Sequence, residues 1–248
     1  MQTMVPLYGF GGVPYSAVRK AAPRNILDNS DFTNLVAQAG IGGNHGTIAY
    51  AADRWILDSG TVSYAAGVGL TLNGTIRQKL EFPPTGETSA FVGMASGTAS
   101  ISYADGAVTI TSSGGVIKWA ALYGGVYSAA TMPEYQPKGY GAELAECQRY
   151  YVNSRASYPC VYGCAFSATE ARACFPVPAT MRVTPSVAVE AMSNISIFTA
   201  SGAKTCSAVS VYGMDSHAVY LTMKSTGLTV STPITVRFNS LVELSADL

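Results

Sequence analysis

Charge is what this sequence has least of. Of its 248 residues, 15 are Lys or Arg and 15 are Asp or Glu, so charged side chains make up 12% and cancel. Soluble domains average about 25%. A neutral chain this poor in Lys and Arg lacks the basic surface that displaces counterions from phosphates, which argues against a nucleic-acid binder. It equally lacks the polybasic patch that holds proteins on anionic membranes. No stretch approaches the roughly 18 consecutive apolar residues of a membrane-spanning helix, so membrane insertion is not expected. The opening stretch MQTMVPLYGFGGVPYSAVRK has no early basic region and no continuous apolar core, and is not expected to act as a secretory signal. Near-zero net charge offers little protection against self-association. With Ser, Thr, Gly, Asn and Tyr left to cover the surface, an obligate oligomer is the expectation.

Reactive groups are scarce as well. There is no G-x-S-x-G, and the only two histidines are His45 and His217, so a Ser-His-Asp triad would have to use one of them. Asp215 and His217, in MDSHA, read as the polar end of a hairpin. His45, in GGNHG, reads as a solvated residue of a Gly-rich loop that could touch a ligand. No G-x-G-x-x-G opens a helix, which removes a dinucleotide site. Fifteen acidic residues are a small supply for the paired carboxylates of a glycosidase, and most lie at turns or on the one helical segment. The five cysteines (Cys147, Cys160, Cys164, Cys174, Cys206) are odd in number and irregular in spacing. They do not match a zinc ribbon and are expected to be free, mostly buried thiols of a protein assembled in a reducing cytosol; the alternative is a disulfide such as Cys160–Cys174. The Asp and Asn side chains of ILDNSDF could offer hard oxygens to Ca2+, although Asx turns at the start of a strand explain them equally well. The expectation is therefore a non-enzyme with no cofactor and no metal.

What is present is strand. After residue 24 short alternating segments recur with turn signals roughly every ten residues, the pattern of a β-sandwich or jelly roll. Asn73-Gly74 and Asp105-Gly106 read as hairpin turns. Trp55 and Trp119 are expected in the core of the first sandwich rather than as ligand platforms. Within AELAECQRYYVNSR, Leu144, Cys147 and Tyr151 fall at i, i+3 and i+7, one face of a helix. Strand periodicity resumes after Ser157 and continues for about ninety residues. The fold class expected is all-β: two antiparallel sandwich or jelly-roll-like domains (25–139 and 156–248) joined by one short helix (140–155). An extended arm (1–24) precedes them, too apolar for a typical flexible tail. Its Leu7, Tyr8, Phe10 and Tyr15 are expected to dock on a neighbour, or else on the chain's own domain.

Three stretches taken in order carry a more specific likeness: NILDNSDF with ADRW, then IKWAALYGGVYSAATMPEYQPKGYGAELAECQRYY, then FPVPATMRVTPSV. Together they resemble a group of bacteriophage and prophage tail-fibre and virion appendage proteins. In that group a carbohydrate-binding-module-like sandwich is followed by a helix of the form E-L-x-x-C-Q-R-Y-Y. Trp119 keeps the Trp of the closing strand, but neutral residues follow where Lys-Leu-Glu is usual. The resemblance implies a structural virion protein made in the host cytoplasm and commonly a homotrimer. The 1–24 arm would meet other virion proteins, and exposed loops of the distal β domain would meet a host-surface glycan or protein. Lacking a long shaft, it would be a short appendage mounted directly on the virion, with a head fibre or capsid decoration protein as the alternative. On this reading Leu144, Cys147, Gln148, Arg149, Tyr150 and Tyr151 are the linker and oligomer-interface residues, close to the symmetry axis.

Overall fold

A computed structural model describes residues 23–45, 48–154, 160–239 and 241–247. The expected anchoring residues Leu7, Tyr8, Phe10 and Tyr15 lie outside these. The chain is all-β, with one α-helix among the described residues.

The first unit is a seven-stranded antiparallel sheet. Its strands are β1 (Asn44–His45), β2 (Ile48–Ala52), β3 (Trp55–Ala65), β4 (Gly69–Lys79), β5 (Thr88–Ser96), β6 (Ala99–Ala104) and β7 (Ala107–Gly124). The order is β1-β2-β3-β4-β7-β5, with β6 also on β7. β7 runs for 18 residues because it serves three partners: Ala107–Ile117 pairs with β4, Ala107–Ser112 with β6, and Val116–Gly124 with β5. Alternation, reset once by a bulge at Gly114, puts Ile76, Val108, Ile110 and Ile117 on one face, fully buried. The irregular segment 25–36 lies over that face and adds Leu27, Phe32, Leu35 and Val36. Its backbone is tied to β7 by Ile26 N–H to Leu122 C=O and Ala120 N–H to Ser30 C=O, both 3.0 Å. Each such aliphatic side chain contributes about 1.5–3 kcal/mol on burial.

The two dipeptide turn signals part company here. Asp105 (φ 51°) and Gly106 (φ 73°) make the β6–β7 turn, as expected of a primed turn. Asn73-Gly74 makes no turn and lies inside β4, paired with Thr61 and Gly60 of β3. Gly60 (φ 87°) and Gly74 (φ 145°) face each other so closely that a Cβ on either would lie about 2 Å from the other strand's backbone. The glycines allow a close approach within a long strand pair, and the β3–β4 reversal falls at 66–68 instead.

The second unit is a two-layer sandwich. Its large sheet has the order β13-β12-β16-β9-β10-β15-β14, with β9 at Cys160–Ser167, β10 at Glu170–Pro176, β12 at Ile195–Thr199, β13 at Gly202–Thr205, β14 at Ala208–Met214, β15 at Ala218–Lys224 and β16 at Pro233–Phe238. Its small sheet is β11-β17-β8, with β8 at Tyr151–Ser154, β11 at Ser186–Val189 and β17 at Val242–Ser245. The core between the layers takes Val161, Phe175, Leu221, Val236 and Phe238 from the large sheet, and Val152, Val242 and Leu244 from the small one.

The helix is shorter than the segment 140–155 expected of it. Helix α1 covers Tyr140–Cys147, and Gln148–Tyr150 turn the chain directly into β8. The aromatic and β-branched run Tyr150-Tyr151-Val152 favours strand, and pairing with β17 gives its backbone the ladder that a further helical turn would have supplied. The second unit therefore begins at Tyr151 rather than at residue 156. The buried side chains of α1 are Glu143 and Cys147, at i and i+4, while Leu144 is only half-buried.

Candidate functional site: an interdomain joint and an aromatic sheet face

The motifs that carried the family likeness converge on one place, the joint between the units. Asn29, with φ 48°, is its centre on the first unit. Its side-chain N–H groups donate to Val36 C=O (2.8 Å) and Asp53 C=O (2.7 Å), and its Oδ1 accepts from Val36 N–H (2.9 Å). Its carbonyl accepts from the indole N–H of Trp55 (2.9 Å), and its own N–H donates to Glu143 Oε2 of α1 (2.5 Å). A buried Asn whose groups are all bonded fixes one local geometry, which only this side chain supplies. Trp55 is fully buried, as expected.

Arg54 (φ 71°) reaches across the joint, its guanidinium 3.5 Å above the ring of Tyr150. One η nitrogen donates to Lys79 C=O (2.7 Å), and Nε reaches Asp28 (3.3 Å). Tyr150 O–H donates to Glu81 (2.8 Å), which Arg149 meets at 3.0 Å. From the second unit, Arg182 N–H donates to Arg149 C=O (2.7 Å) and Ala246 N–H to Tyr150 C=O (2.6 Å). A cavity of about 120 Å³ remains between Asp28, Arg54, Glu81, Phe82 and Arg149.

His45 is the other half of the joint. Sequence suggests a solvated loop residue, but the imidazole is buried, stacked between Tyr50 (3.9 Å between centroids, 15°) and Tyr151 (3.6 Å, 1°). Its Nδ1 lies 3.0 Å from Asp247 and its Nε2 3.7 Å from Asp53, both nearly buried themselves. Burial alone would lower its pKa, but hydrogen bonding to Asp247 and Asp53 and their charges outweigh that and raise it above 6.5. Glu143 shows the opposite balance: burial raises its carboxyl pKa against the pull of Lys138 at 3.9 Å, and its Oε1 is buried without a partner among the described residues.

These placements decide what the predicted residues do. Cys147, Tyr150 and Tyr151 are buried by the chain's own two halves, leaving no surface for a second copy. Burial pushes the Cys147 thiol well above its ordinary pKa, the state of an inert thiol. Leu144, Gln148 and Arg149 stay half-exposed. Trp119 is not in the core. It is half-buried on the opposite side of β7, stacked on Tyr135 (4.9 Å, 9°) and seated on Gly93, where a Cβ would lie 2.2 Å from the indole. A bulge between Ile117 and Trp119, which pair with the adjacent Met94 and Gly93 of β5, shifts the alternation and turns the Trp119 side chain away from the face of Ile117.

The oxygens of ILDNSDF are engaged by protein groups: Asp28 pairs with Arg54 and Lys138, Asn29 Oδ1 accepts from Val36 N–H, and Asp31 Oδ1 makes an Asx turn to Thr33. Among the described residues no three His, Cys, Asp or Glu side chains group as a metal site. Asp215 accepts from the main-chain N–H of His217 and Ala218 rather than from the imidazole, so Ser216, His217 and Asp215 form a turn, not a relay. All five cysteines are free, but Cys160, Cys164 and Cys174 are exposed, contrary to the mostly buried set expected.

Those three cysteines mark a surface that the sequence reading missed. The outer face of the second unit's large sheet is aromatic: Tyr162 is 75% exposed, Phe166 54%, Tyr212 51% and Phe198 41%. Phe198, Thr235 and Tyr162 stand in one cross-strand row, bordering a groove of about 380 Å³ with Pro233. Across β10, Arg172 lies with its guanidinium 3.5 Å from the Phe166 ring and 4.9 Å from Tyr212, which packs on Tyr220 at 5.8 Å. The corresponding face of the first unit is different in kind. Its row Ser100, Thr111, Thr75, Ser59 carries hydroxyls, with Thr75 and Thr111 3.1 Å apart. The signal was present in VYGCAF, a strand apolar on both faces although one faces solvent.

Comparisons with family models, with curated proteins and with solved structures found no match to this chain.

Proposed function

We propose that this chain is a structural virion appendage protein of a bacteriophage, a homotrimer without enzymatic activity. Its N-terminal segment anchors it to other virion proteins and its second unit meets a glycan on the host surface. The observation that carries this reading is the aromatic outer face of the second unit. Exposed Tyr and Phe rings on a sheet offer flat apolar area beside hydrogen-bonding groups, which suits the faces of sugar rings. The sheet holds these rings from strands rather than from loops, so little ordering entropy opposes binding. The joint supports the same reading, because ion pairs, a cation–π contact and a buried stack link body to tip and transmit load between them.

The test uses the whole chain, since β8 ties the second unit to the joint. Labelled wild-type protein and a Tyr162→Ala/Tyr212→Ala/Phe198→Ser variant are compared for binding to host cells, with light scattering to give the oligomeric state. Loss of binding by a trimeric, folded variant supports adsorption through this face. Equal binding by both proteins would sink it, and capsid binding without cell binding would favour the decoration reading. Release of oligosaccharide from host polysaccharide would overturn the non-enzymatic assignment.

A further inference from the structure

The outer face of the second unit is charged as well as aromatic. Its strand residues include Arg172 and Lys224, which share the one carboxylate of Glu170, on a chain whose total charge is zero. Glu170 is already committed: one oxygen accepts from Arg172 Nε (2.9 Å) and the other from Lys224 Nζ (2.6 Å). The Nε contact and the Phe166 ring hold the guanidinium flat, and among the described residues its two η nitrogens have no hydrogen-bond partner. A planar fork fixed in this way matches a carboxylate bidentately. Tyr162 stands two residues from Cys164, the β9 residue paired with Arg172, and so presents its ring one step along the sheet from the fork.

We propose that this face binds an acidic polysaccharide, a uronic-acid-type chain whose carboxylate docks on Arg172 while a neighbouring sugar ring stacks on Tyr162. The inference rests on the adsorption reading and names the class of glycan for it. Charge complementarity selects this occupant. A second copy of the same face in a two-fold contact would set Arg172 and Lys224 against their own counterparts, and a neutral glycan would leave the excess positive charge unanswered.

The experiment measures binding of the full chain to polygalacturonate, to a poly(glycerol phosphate) and to neutral dextran, by calorimetry at two ionic strengths. Wild type is expected to bind polygalacturonate, more weakly at higher salt, and dextran far less. Arg172→Gln should lose roughly tenfold or more in affinity, about 1.4 kcal/mol. Arg172→Lys should recover only part of that, because a point charge replaces the fork, and Tyr162→Ala should lose a similar amount. Dextran binding equal to polygalacturonate, or no effect of Arg172→Gln, overturns the proposal. Preference for the phosphate polymer overturns the carboxylate assignment. Host cells bound normally by Arg172→Gln but not by Tyr162→Ala would reject the acidic glycan and leave the adsorption reading standing.

Discussion

His45→Ala tests the joint most directly. The imidazole sits between the rings of Tyr50 and Tyr151, bonded to Asp247 and facing Asp53, with the side chains of His45, Asp53 and Asp247 only 1%, 2% and 8% exposed. Removing it deletes a charge-assisted hydrogen bond, about 1.5–3 kcal/mol, and two stacked contacts of about 0.5–1.5 kcal/mol each. It also leaves two carboxylates buried beside a cavity, so the cost should be about 3–5 kcal/mol, as when one partner of a buried ion pair is removed. The pH dependence identifies the cause. Because the folded-state pKa is raised above 6.5, protonation of His45 contributes stability that is complete below pH 6.5 and lost as pH rises through the folded value. Urea midpoints of both proteins from pH 5.5 to 9 give the comparison. The gap between wild type and variant should be largest at the acidic end and shrink as pH rises, without vanishing, since a neutral imidazole still stacks. A cost below about 1 kcal/mol, or a gap that widens with pH, would refute the account of the joint.

Other substitutions probe other parts. Glu143→Gln keeps an acceptor for Asn29 N–H and removes a carboxylate whose pKa burial raises above 4.5, so the wild type should be stabler than the variant at pH 4.5 relative to pH 7.5. At neutral pH the Gln variant should match wild type within about 1 kcal/mol by urea unfolding. Gly93→Ala places a Cβ 2.2 Å from the Trp119 indole, and should cost about 1–3 kcal/mol and shift the Trp fluorescence as the Trp119–Tyr135 stack opens. Thiol titration of the native protein should show Cys160, Cys164 and Cys174 reacting promptly and Cys147 and Cys206 only on unfolding; prompt reaction at Cys147 would contradict its place on the buried side of α1.

Much of the architecture is legible in the chain because it depends on local pattern. Period-two alternation marks strands wherever one face meets a core, and Asp105-Gly106 makes its turn because two adjacent residues must take positive φ. Asn73-Gly74 carries the same local signal and means something else, because the need for glycine there comes from Gly60 on another strand. Leu144, Cys147 and Tyr151 share a face only if the helix continues, whereas pairing with β17 ends it at Cys147. The sequence puts His45 in solvent because the Tyr151 and Asp247 that bury it lie about 105 and 200 residues away, and it puts Trp119 in the core because the bulge that turns it outward is set by its pairing with β5.

What the sequence by itself determined is the class of structure: all-β, two units, one helix between them, low charge, and a set of motifs marking the joint. Those properties follow from composition and from short-range periodicity, which no distant contact alters. Only the tertiary structure decided what the motifs are for and where the exposed surface lies. Asn29, Arg54, Glu143 and Tyr150 become one network when two units close on them, and Tyr162, Phe166, Arg172 and Tyr212 become one face when β9, β10, β15 and β14 pair. A strand records that its alternate residues share a side, but which side meets solvent depends on the other layer, and that information is spread over the whole chain.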